Sequence, residues 1–128
     1  MRQALARVTS ILAIPYGYTV TLWCAGALIV ADHGFPTRMN VLLFAAGAVG
    51  GFVLLGLIGR AHLDDQVPMR VPATVVANVF PIVVALVLVS LPLRVLSKAL
   101  AYPTASFVAT VVYLLSLALV VRASAPPR

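Results

Sequence analysis

Four apolar stretches, residues 10–31, 41–59, 73–93 and 104–121, carry no Asp, Glu, Lys, Arg or His in their interiors. Each is close to the ~20 residues that an α-helix needs to cross a bilayer core about 30 Å thick. A charge at the centre of such a span costs at least ~2.5 kcal/mol on insertion scales, so its exclusion from all four fits lipid as the solvent. The pattern predicts an all-α integral membrane protein, a four-transmembrane-helix antiparallel bundle with short loops. Charged residues make up 9% of the chain against the ~25% usual in soluble domains, too few to cover a water-facing surface.

The spans and their short connections read as a single membrane domain over residues 1–128, with no segment left to fold as an extramembrane catalytic or receptor domain. A net charge of +6 raises the question of a nucleic-acid partner. The basic residues, however, stand singly at the ends of spans, which is a pattern of membrane orientation. Arg2, Arg7, Arg60, Arg70, Arg122 and Arg128 fall on one side, and Arg38, Arg94 and Lys98 on the other. The excess favours both termini in the cytoplasm of a cell-membrane protein. Arginine far outnumbers lysine, and alanine and valine abound, a composition that suggests a GC-rich bacterial genome. The first apolar run exceeds the ~7 to 15 residues of a signal-peptide core and is followed by Asp32, His33 and Pro36, so it reads as a retained helix. Cys24, the sole cysteine, lies within it and cannot form an intramolecular disulfide.

The connections have their own signatures. Residues 1–9 read as an interfacial lead whose Arg2 and Arg7 sit among headgroups. Residues 32–38 form a tight turn rich in Gly and Pro, and residues 60–70 a second one that holds Asp64 and Asp65. Leu93, Leu96 and Leu100 recur at helical spacing with Arg94 and Lys98 on another face, which predicts an interfacial helix between helices three and four. Pro103 then begins helix four, where its missing N–H costs least, and the tail at 123–128 is expected to be disordered.

Few residues carry chemistry. Gly47 and Gly51, four apart on helix two, make a small-xxx-small face that lets two helix backbones approach, either inside the bundle or between subunits. On helix three, Thr74, Asn78, Pro81 and Ala85 form one polar and small stripe; Pro81 cannot donate to the carbonyl of Ala77, so a kink is expected there. An amide facing lipid is costly, so Asn78 should face the bundle as hydrogen-bonding glue, or face a substrate, ion or partner. Tyr18 and Thr21 share a face of helix one, and Ser106, Thr110 and Tyr113 a face of helix four. Tyr18, Thr21, Asn78, Pro81, Thr110 and Tyr113 are therefore the candidate polar lining or partner contact. His33 and His62 follow different helices and fall on opposite membrane faces, which argues against a shared metal or haem. No cofactor, metal site or catalytic residue is expected.

An enzyme is the weakest class, since no nucleophile has a base beside it and no phosphate loop is present. Proton-coupled transport is disfavoured because intramembrane relays use Asp, Glu or His. In length and helix count the chain is similar to small multidrug resistance transporters, but it lacks the glutamate that these carry in helix one, so their activity is not carried over. The favoured expectation is a non-catalytic accessory or scaffold subunit of a membrane assembly, with the lipid bilayer and another membrane protein as partners and no nucleic acid. The alternative is a homo-oligomeric channel or uncoupled transporter with a pore lined by hydroxyl and amide side chains.

Overall fold

The computed structural model describes the backbone over residues 1–60 and 73–123, and side chains over 15–59 and 79–123 together with Met1 and Ala4. Four helices make up the described chain: α1 (Arg2–His33), α2 (Arg38–Arg60), α3 (Ala73–Leu93) and α4 (Lys98–Ala123). No strand occurs among the described residues. Two of the helical segments, Arg38–Gly59 and Lys98–Ala123, are long and apolar enough to cross a membrane, and Val79–Leu93 is a shorter apolar run.

Two helix starts differ from the sequence expectation. Helix α1 begins at Arg2, so the expected interfacial lead is its opening turns; residues 2–9 contain no Gly or Pro, and Ala, Leu, Arg and Gln propagate a helix readily. Helix α4 begins at Lys98, which corrects the expected interfacial helix between helices three and four. Residues 94–97 form a turn and residues 98–102 belong to α4 itself. The Ser97 carbonyl accepts the N–H groups of Leu100 (3.0 Å) and Ala101 (2.9 Å), starting the helix ahead of Pro103. Pro103 lies inside α4, where it forgoes one bond, to the carbonyl of Ala99. The connection with His62, Asp64 and Asp65, and the tail beyond Ala123, lie outside the described residues.

Helix α4 is the axis of the structure, with α1, α2 and α3 all packed against it. Helix α1 also packs on α3, whereas among the described residues the backbones of α1 and α2 stand apart although the two are consecutive. The burial patterns explain the arrangement. On α3, Pro81, Ala85, Val89 and Leu93 are buried at every fourth residue, and on α1 Thr21, Ala25 and Ile29 follow the same period. Each helix thus turns one stripe inward. Helix α4, touched from three sides, buries two positions per turn: Ala101 and Tyr102, Ala105 and Ser106, Ala109 and Thr110.

Small and hydroxylated residues make up much of the interior, beside the buried Ile29, Val89 and Leu93, while most of the large apolar residues of α2 and α3 lie outside. Ala25, Ala85, Ala101, Ala105 and Ala109 have no exposed surface, and neither do Thr21, Ser106 and Thr110. By contrast Val49, Val53 and Leu57 on α2, and Val79, Val83, Val87 and Leu91 on α3, are all more than half exposed and fall in two straight stripes.

Candidate functional site

The polar side chains that do enter the interior gather along α4. Ser106 sits about two turns into α4 and turns its hydroxyl back onto the helix, donating to the carbonyls of Pro103 (3.1 Å) and Tyr102 (3.3 Å). A hydroxyl in this position satisfies itself on its own helix. One turn further on, Thr110 Oγ1 shares a hydrogen bond of 2.9 Å with the Tyr18 hydroxyl of α1. Tyr113, the next residue on that face, is fully buried and packs with Ala85 and Leu117; its ring centroid is 5.9 Å from that of Tyr18.

Helix α2 closes the group from the other side. Phe52 sets its ring edge-on to Tyr18, with centroids 5.1 Å apart at 82°, the T-shaped geometry that aromatic quadrupoles favour. Gly51 lies over Thr110: a Cβ placed there would sit 3.0 Å from the Thr110 Cβ and Cγ2 and 3.3 Å from the Phe107 carbonyl oxygen. At Gly47 a Cβ would overlap the Pro103 carbonyl oxygen and the Ser106 hydroxyl, and would lie 3.0 Å from the Pro103 carbonyl carbon. The two glycines therefore face α4 at the points of closest approach. Thr110 is held on both sides, its methyl against Gly51 and its hydroxyl on Tyr18.

Of the residues singled out in the sequence, Tyr18, Thr110 and Tyr113 come together. Thr21 is buried on the same face of α1, where its hydroxyl donates to the Gly17 carbonyl at 2.8 Å. Pro81 is buried on α3, and the helix continues through it. Thr74 and Asn78 belong to α3, but their side chains lie outside the described residues. The hydroxyls of Thr21 and Ser106 are engaged with carbonyls of their own helices, and the bond between Tyr18 and Thr110 joins α1 to α4.

A second polar cluster, not foreseen from the sequence, ties the α1–α2 connection to the start of α4. His33 Nε2 is 2.9 Å from the Leu96 carbonyl oxygen. A carbonyl can only accept, so Nε2 carries the proton and Nδ1 is bare in the neutral ring. Nδ1 is buried with no partner among the described residues. Lys98 Nζ donates to the Phe35 carbonyl (2.7 Å) and the Tyr102 hydroxyl to the Gly34 carbonyl (2.9 Å). Gly34 itself has φ +79° and ψ −174°, a conformation open in practice to glycine alone. Nearby, Thr37 caps α2 by accepting the Asn40 N–H at 3.3 Å, and Asn40 is only 6% exposed. A threonine just ahead of an apolar run is a readable helix start; the contacts between residues 33–35 and 96–102 leave no local signature.

Among the described residues no three of His, Cys, Asp and Glu are grouped closely enough to hold a metal ion. No protein-family model, no curated protein and no solved structure matches this chain.

Proposed function

We propose that the chain is a small multi-pass membrane protein of the cell membrane, crossing the bilayer four times with both termini in the cytoplasm, and that it acts as a non-catalytic accessory or scaffold subunit. The observation that carries this reading is the inverted packing. In water the valine and leucine stripes of α2 and α3 would form apolar patches of a size that soluble monomers rarely expose. In lipid the same stripes are matched to the solvent, and close approach through small residues becomes the main source of helix association.

The favoured role follows from where the hydroxyls are. Thr21, Thr110 and Tyr113 are buried within a single chain, and the Tyr18 hydroxyl bonds Thr110. A pore between copies needs such groups on an outer face, and the outer faces of α2 and α3 offer valine, leucine and phenylalanine. Those faces suit contact with lipid or with the helices of another membrane protein. Carbonate extraction followed by native mass spectrometry from the native membrane tests both steps. Retention in the membrane with a larger membrane protein at fixed stoichiometry is the expected result. Release by carbonate defeats the membrane reading, and a defined homo-oligomer that conducts solute in liposomes replaces the scaffold with the channel.

A further inference from the structure

Because α1 and α2 splay apart, a cleft of about 760 Å³ opens between them. One wall is a single face of α1 with Trp23, Gly26 and Val30; the other is Val41 and Phe44 of α2, and Tyr102 of α4 lines it as well. The Phe44 ring reaches across, 3.9 Å from where a Gly26 Cβ would stand. From Thr19 to Ala31 the α1 wall runs about 18 Å at 1.5 Å per residue. That is slightly more than half of a ~30 Å hydrocarbon core, the depth of one leaflet.

Lining and charge select the occupant. The walls are apolar apart from Thr19 and Tyr102, whose hydroxyls already donate to the Pro15 and Gly34 carbonyls, and the cleft is open along its outer side, so it suits hydrocarbon chains lying lengthwise. At the end marked by Pro36 and Tyr102 the basic residues outnumber the acids, with Arg38, Arg94 and Lys98 against Asp32. Arg38 is exposed and lies between Pro36 and Val41, one turn ahead of the latter, so it stands at the mouth of the cleft and not in its lining.

We infer that the cleft is a binding site for an anionic phospholipid, with its acyl chains lying against Trp23 and its phosphate at Arg38. The inference rests on the membrane reading above, and the orientation proposed there places the lipid in the outer leaflet. Trp23 is the only tryptophan in the chain and is 77% exposed, so its fluorescence reports the occupant directly.

The test reconstitutes the full chain in phosphatidylcholine vesicles containing a minor fraction of lipid brominated on its acyl chains. Brominated phosphatidylglycerol is expected to quench Trp23 about fivefold more effectively than brominated phosphatidylcholine at the same fraction. Arg38→Gln should abolish that preference with the helical circular dichroism unchanged, and Ala27→Leu, which fills the cleft wall, should weaken it with Arg38 intact. Equal quenching by the two lipids overturns the site while leaving the membrane reading in place. No quenching even in wholly brominated vesicles that retain the protein means that another protein surface or a second copy covers the cleft, and also overturns it. Failure of the protein to remain with the vesicles refutes the membrane reading itself.

Discussion

Replacing Gly47 with alanine adds one methyl group, and the structure sets its cost. The new Cβ would overlap the Pro103 carbonyl oxygen and lie 3.0 Å from its carbon, where carbon atoms pack best at about 3.5–4.0 Å. The overlapped oxygen belongs to the backbone and cannot rotate away, so α2 must retreat from α4 by roughly 0.5–1 Å. A gap of that size forfeits a quarter to a half of each dispersion contact along the seam. Overpacking of this kind costs about 1–3 kcal/mol, and the upper end applies because, among the described residues, α4 is the helix on which α2 packs backbone to backbone. Alanine returns about 1 kcal/mol of helix propensity, leaving a net loss of about 2 kcal/mol. Gly56→Ala is the internal control, since nothing lies within 4 Å of its Cβ position; it should be neutral or slightly stabilising. Reversible unfolding in mixed detergent micelles, followed by circular dichroism, measures both. If Gly47→Ala is as stable as Gly56→Ala, α2 does not sit on α4 as described.

Three further outcomes are expected. Tyr18→Phe and Thr110→Val should each cost about 0.6–1 kcal/mol, with the double variant costing no more than the larger single one; full additivity would mean that the 2.9 Å bond between them does not form. Gly34→Ala should destabilise by about 1–3 kcal/mol through backbone strain alone, because the space around Gly34 is open, and a wild-type melting profile would contradict the φ of +79°. Nitrogen-15 NMR of His33 should show the Nε2–H tautomer, and a proton on Nδ1 alone would rule out the contact with Leu96.

The long-range plan of α3 is legible in the apolar run at 73–93, whose limits coincide with the helix. The other helices overrun their apolar cores, because helical hydrogen bonding does not stop where hydropathy does. The polar lead at 2–9 and the amphipathic segment at 98–102 both have good helix formers and are continuous with the helix that follows. The shared faces of Tyr18 with Thr21, and of Ser106 with Thr110 and Tyr113, follow from helical spacing alone. Which face meets which helix does not. That Gly51 would sit on Thr110, or that His33 would reach Leu96, depends on how the helices are placed around α4, and residues 59 to 92 positions apart leave no common pattern in the sequence.

The central position of α4 bears on the order of biogenesis. Helix α2 emerges from the ribosome well before α4, the helix against which it packs. Until α4 is made, Gly47 and Gly51 have no surface to fit, and under the proposed membrane reading α2 would reside in lipid on its own hydrophobicity. Its apolar run over Arg38–Gly59 is long enough for that. On that reading a chain stalled after α3 would hold its helices without the α2–α4 seam, and the contacts of Gly47 and Gly51 would form only once α4 is in place.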